Sequence, residues 1–278
     1  MALAWQSGSR FRALLACVLA PVLGAASACD APTAPLVEFP SRAVPWTAPA
    51  QYRLWWTLTE ACAGRQGAMS DVQWYLWPGG PILLDGQWYN GYWWQSGSRI
   101  LLAEEFVEDG QVVRHEMLHQ LLQRDGHPTE YFDERCEGIV SGTGAASAAS
   151  ADPALVARAR DVGPEVLAIS VATLPSRPSA SANDGWFVLD VAATNPTTEP
   201  VWVRLDPFFE GYVGLGYTTD AVGRAGTFDM PKEERIFFAP GQRRHRYFDL
   251  RERAPATYVV RGSVSRRASA PFTVRVEP

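Results

Sequence analysis

Residues 113–122, Val113-Arg114-His115-Glu116-Met117-Leu118-His119-Gln120-Leu121-Leu122, place two histidines four apart on an apolar repeat. Val112, Val113, Met117, Leu118, Leu121 and Leu122 recur at helical spacing after Asp109-Gly110, which predicts a helix running to a stop at Gly126. On a helix, residues i and i+4 lie one above the other. His115 and His119 therefore share a face and can reach one tetrahedral metal ion, while Glu116 can approach a water on that metal. Chance is a poor explanation. With four His and sixteen Glu in 278 residues, a His-Glu-x-x-His motif is expected on the order of 0.003 times.

The third ligand is less sharply marked. His127 follows Gly126, where the chain can turn back toward the metal, and neutral imidazole suits zinc. Asp125, Glu134 and Glu137 are the alternatives.

Upstream, Tyr52, Trp55, Trp56, Thr59 and Cys62 recur at helical spacing over 48–62, with Thr47 as candidate cap and Gly64 as stop. Val72–Trp77, Gln87–Trp94 and Arg99–Glu104 read as strands, the last two separated by Gln95-Ser96-Gly97-Ser98. The order is helix, about three strands, helix. Of eleven Trp, eight fall between Trp46 and Trp94. They read as the core of a small domain rather than as an exposed platform, because small cores are hard to stabilise.

Downstream, residues 141–163 are rich in Ala, Ser and Gly and read as a linker with one helical turn near Pro153–Arg160. From Pro164 to Pro278 the pattern alternates, as in Phe187/Leu189/Val191 and Phe272/Val274/Val276. About seven short strands predict an antiparallel β-sandwich resembling an immunoglobulin-like module. Arg243-Arg244-His245-Arg246 reads as a solvated strand edge.

Residues 1–28 have the layout of a secretory signal: Arg10 and Arg12, an apolar run from Ala13 to Leu23, then Ala26-Ser27-Ala28. The segment resembles a bacterial lipoprotein signal, which implies lipid on Cys29, export to the cell envelope, and membrane attachment through the anchor alone. Residues 29–47, with four prolines, read as a tether. Cys17 lies in the signal, so Cys62 and Cys136 remain as a pair for a disulfide in an oxidising compartment. The hydrophobic fraction of 47% excludes a wholly disordered chain, and the net charge of −5 argues against nucleic acid as partner.

The segment 50–140 resembles the zincin metallopeptidases, most closely small exported bacterial members. The resemblance rests on His115-Glu116-Met117-Leu118-His119, followed by Gly126-His127-Pro128, Phe132 and Cys136. It implies an α+β minimal zincin-like domain over 48–140, Zn²⁺ held by His115, His119 and His127, Glu116 as general base, and a peptide or protein substrate. The longer metzincin pattern is not met: Leu122 stands where its Gly would be and Asp125 where its third His would be. A competing expectation is a non-catalytic envelope binding protein whose zinc site is structural or degenerate. A structural site has four protein ligands, whereas a catalytic one keeps a position open.

Overall fold

Helix α1 (Gln51–Ala63) forms on the aromatic repeat and buries Tyr52, Trp55, Trp56 and Leu58. It ends at Gly64, whose φ of 62° is a left-handed conformation that glycine adopts without strain. Thr47 does not cap it. Ala50 occupies the cap position without a side-chain bond, and Tyr52 N–H donates to Pro49 O, so the helix begins beyond the expected residue 48.

The computed structural model describes residues 38–140, 151–204, 215–220, 235–264 and 267–278. The expected signal over 1–28, the lipid-anchor Cys29, the rest of the expected tether as far as residue 37 and residues 141–150 of the expected linker lie outside the described residues. The later part of the expected tether is not a spacer: Val44 and Pro45 pair with Leu76 and Tyr75 in the sheet, and Trp46 packs on the core. Glu38–Pro278 forms one compact unit. Its class is α+β with a large β component and few helices. Among the described residues no helix is long and apolar enough to cross a membrane.

Six strands follow or flank α1: β1 (Val44–Pro45), β2 (Gln73–Trp77), β3 (Ile82–Leu84), β4 (Gln87–Tyr89), β5 (Gly91–Trp94) and β6 (Arg99–Ala103). Four of them build a sheet in the order β1-β2-β6-β5, with β2 and β6 parallel and β5 antiparallel to β6. The register aligns Trp74, Ile100 and Trp93 across three strands. These residues join Trp55, Trp56, Val113 and Met117 in one core, so one face of the sheet packs on both long helices. The expected strand 87–94 is split. β3 and β4 form a hairpin through Asp85 and Gly86, both at positive φ (47° and 79°), and a new strand begins at Gly91. Trp88 on this hairpin is 68% exposed, unlike the core Trp residues.

Helix α2 (Gly110–Leu122) is capped by Asp109, whose carboxylate accepts from the N–H groups of Gln111 and Val112. Such a cap contributes about 1 kcal/mol. The helix ends earlier than expected. Gln123 takes the left-handed position (φ 50°), and its side chain donates to Gln120 O at 2.7 Å. Residues 124–127 are thereby released into a turn.

The remaining chain is mostly strand: β7 (Arg160–Val162), β8 (Ala168–Leu174), β9 (Trp186–Thr194), β10 (Val201–Arg204), β11 (Leu215–Thr219), β12 (Arg235–Phe238), β13 (Arg243–Arg251), β14 (Ala256–Val264), β15 (Arg267–Ala268) and β16 (Phe272–Val276). The second half of the expected linker is structured. Pro153–Arg158 is a helix capped by Asp152, and β7 pairs in parallel with β10. One antiparallel sheet, β13-β9-β8, faces another built on β14 across Phe187, Leu189, Val191, Tyr258 and Val274. The opposite face of β9 is buried as well. Trp186 and Val188 enter the core beneath α1, with Trp186 and Trp55 edge-to-face at 5.8 Å between ring centroids.

Candidate metal centre

Four residues apart on α2, the rings of His115 and His119 stand 5.0 Å apart between centroids. The turn after α2 passes through Gly126 at φ 78° and returns His127 to them. His127 Nε2 lies 2.9 Å from His115 Nε2, a contact that requires one of the two nitrogens to carry a proton. One ligand atom from each of the three His lies within 4.8 Å of the others. A tetrahedral zinc with bonds near 2.0–2.1 Å separates its ligand nitrogens by about 3.4 Å. The donor set and its spacing therefore fit such an ion.

The rings are held from below and behind. Phe132, buried in a π-helical turn over Glu130–Arg135, packs on all three His at centroid distances of 4.7–4.9 Å. Trp93 stacks on His119 with planes 8° apart, and its Nε1 donates to Gln120 Oε1 at 2.6 Å. His119 Nδ1 lies 3.0 Å from Arg124 O, and His115 Nδ1 lies 3.4 Å from Val140 O. A carbonyl only accepts, so each Nδ1 carries the hydrogen and each Nε2 keeps its lone pair for a metal. Burial, reinforced for His115 by the neighbouring imidazoles, lowers His115 to about 3 and also lowers His119. Both are neutral near pH 7, as metal ligands must be.

Glu116 is buried beside them, and burial pushes its carboxyl up to about 8. Among the described residues none hydrogen-bonds to that carboxyl. Gly91 of β5 lies against it: a Cβ there would stand 2.8 Å from Glu116 Cγ and 3.0 Å from Oε1. Exposure is graded across the cluster. His119 is buried, His115 half-buried and His127 exposed, so the site opens toward solvent on the His127 side.

The alternatives for the third ligand fall elsewhere. Among the described residues the cluster contains His115, His119 and His127 and no carboxylate. Glu137 is instead paired with Arg244 at 2.5 Å. Arg244 itself is buried, so the basic run 243–246 is not simply a solvated edge. The carboxylate of Glu137 draws one of its arginines inward. Cys62 and Cys136 form a disulfide with Cα atoms 5.1 Å apart, tying the last turn of α1 to the residue after the π-helical turn.

Sequence reasoning missed several supporting residues. Gly91 carried a legible signal, since an isolated strand glycine marks close approach of another group. The buried Arg114 and its partner Asp249, paired at 2.7 Å, carried none, being 135 residues apart.

No family model matches the chain, and no curated protein matches it. Among solved structures, 41% of the chain is similar to 31% of the Pseudomonas fluorescens alkylpurine DNA glycosylase AlkC bound to DNA containing an abasic site analogue, at 11% identity and TM-score 0.25. Another 40% match covers 16% of a β-glucosidase from Listeria innocua in complex with glucose, at 12% identity and TM-score 0.25. A third covers 40% of the chain and 15% of a β-glucosidase from Erythrobacter marinus, at 10% identity and TM-score 0.23. Likenesses this faint identify neither fold nor activity.

Proposed function

We propose that the protein is an exported, lipid-anchored zinc peptidase. In this reading the part over 48–140 is zincin-like, and the sheets that follow are an immunoglobulin-like sandwich. The observation that carries it is the convergence of His115, His119 and His127 within 4.8 Å, open to solvent on one side and adjoined by Glu116. Zinc, when bound, supplies a Lewis acid for the scissile carbonyl and a positive charge that favours ionised Glu116.

The chain's own residues supply the rest. His115 and His119 present lone pairs at Nε2 because their Nδ1 hydrogens are engaged by carbonyls. The Glu116 carboxylate accepts a proton from the attacking water and returns it to the leaving amine. β5 is an edge strand of its sheet among the described residues, and its Gly91 touches Glu116. An extended peptide pairing with that edge would run past the site, which supports a peptide substrate.

The test is a peptide-library digest by the full-length, zinc-loaded protein. Cleavage that is lost on chelation and restored by about one zinc per chain is the expected result. A fully zinc-loaded protein that cleaves nothing overturns the peptidase reading. Stoichiometric zinc in a His115→Ala/His119→Ala double variant overturns the site.

A further inference from the structure

Arg114 joins two parts of the chain that meet behind the metal site. It immediately precedes His115 on α2 and is fully buried. Its guanidinium meets Asp249 of β13 with two prongs, Nη1 to Oδ1 at 2.7 Å and Nη2 to Oδ2 at 3.0 Å. Trp55 Nε1 donates to the same Oδ1 at 2.7 Å. Arg114 Nε donates to Ile139 O at 2.9 Å. The next carbonyl along the chain, Val140 O, is the one that faces His115 Nδ1.

A buried ion pair is a weak source of net stability, because desolvating both charges offsets their attraction. What a guanidinium fork does supply is direction, since its donors are fixed in one plane. Here the fork is anchored on a strand 135 residues away and aims its third donor at the strap over residues 137–140. The same strand grips that strap twice more. Arg244 reaches Glu137 at 2.5 Å, and Tyr247 N–H donates to Gly138 O at 3.4 Å. Gly138, at φ 75°, approaches the His245 carbonyl with no room for a Cβ. Gly110, at the start of α2, is likewise pressed against Asp249.

We propose that Asp249 is a positioning residue of the metal site. Through Arg114 it holds the Ile139–Val140 strap, and the strap holds His115 in the tautomer and orientation that present Nε2 to the metal. The C-terminal sheet is then part of the metal centre's framework rather than an appendage. The inference rests on the metal-site reading above, and Asp249 itself touches no metal.

The experiment measures zinc affinity by chelator competition, and the visible spectrum of the cobalt(II)-substituted protein, on full-length chains. Thermal melts run in parallel, and all binding is measured well below each melting temperature. Asp249→Asn keeps the shape and removes the charge. It should weaken zinc binding about 10- to 100-fold, as loss of an outer-shell partner does, and shift the cobalt spectrum. Trp55→Phe removes one hydrogen bond to Asp249 and keeps an aromatic core, so a smaller change in the same direction is expected. Glu108→Gln breaks only an exposed contact to Arg251 and should leave both readouts unchanged. Wild-type affinity and spectrum in Asp249→Asn, however much lower its melting temperature, overturn the proposal. If Asp249→Asn does not fold, the same result in Trp55→Phe overturns it. A wild-type chain that holds no zinc removes the metal-site reading itself, and the positioning role falls with it.

Discussion

Gly91 leaves so little space beside Glu116 that a single methyl group at its Cα would stand 2.8 Å from the Glu116 Cγ. The close approach ties the sheet to the proposed base through a residue that has no side chain to give way. Gly91→Ala should therefore displace the carboxyl without touching a metal ligand. Misplacement by about 1 Å can cost about 100-fold in rate. The variant is expected to keep its zinc and lose at least about tenfold in kcat/KM on any peptide the wild type cleaves. Unchanged kcat/KM at full occupancy would show that Glu116 has slack.

Acid should destabilise the metal-free protein through its buried imidazoles. His115 is lowered to about 3, chiefly by burial, and His119 is lowered for the same first reason. In the unfolded chain both take up a proton below about pH 6.5. In the folded chain His115 stays neutral until about pH 3, so the unfolded state binds more protons across that window. Each His held neutral therefore removes up to about 1.4 kcal/mol of stability per pH unit as pH falls below about 6.5. Glu116 opposes one of the two: its carboxyl, raised to about 8, holds a proton in the folded state that the unfolded chain releases above about pH 4.5. Melts of chelated protein between pH 7 and 4 measure the slope. His115→Gln should flatten it, and an unaltered slope would contradict the argument.

The Cys62–Cys136 bridge joins residues 74 apart in sequence. Closing a loop of that length contributes about 4 kcal/mol on the chain-entropy model. For a unit of this size about 2–4 °C of melting temperature accompanies each kcal/mol. Cys62→Ser/Cys136→Ser should melt about 8–16 °C lower than the oxidised wild type. Equal melting temperatures for the two proteins would show that the bridge constrains nothing in the unfolded chain.

Anchoring is tested at Cys29. If lipid on this residue holds the protein at the membrane, Cys29→Ala should move it to the soluble fraction with an unchanged melting temperature, because Cys29 precedes the compact unit that begins at Glu38. A variant that still sediments with membranes contradicts the lipoprotein reading.

The readable parts of this chain are those whose physics is local. Val113, Met117 and Leu121 repeat every four residues, and that periodicity is enough to locate α2 and put His115 and His119 on one face. Gly126-His127 is a local turn, so its return to the helix was also accessible. The break at Asn90 was not, because Gln87–Trp94 is aromatic on both sides of it. The stronger clue, Asp85-Gly86, lies earlier, where a positive-φ pair closes the β3–β4 hairpin. β7 was hidden for another reason. Its three residues are largely exposed and carry no alternation, and only pairing with β10 makes them a strand. Arg244 reads as a surface charge, and Asp249 carries no signal, until the fold brings Glu137 and Arg114 to them. Nothing short of the tertiary structure supplies partners more than a hundred residues away.

The central claim is that Glu116 acts on a proton beside a three-histidine metal site without itself holding the metal. Glu116→Gln tests it most directly, since an amide of nearly the same shape cannot accept that proton. Zinc content and cleavage of the same peptide library are measured on the same samples of wild type and variant. The expected result is unchanged zinc, about one per chain, with hydrolysis lowered by at least about 100-fold. Equal cleavage by the two fully loaded proteins would contradict the account.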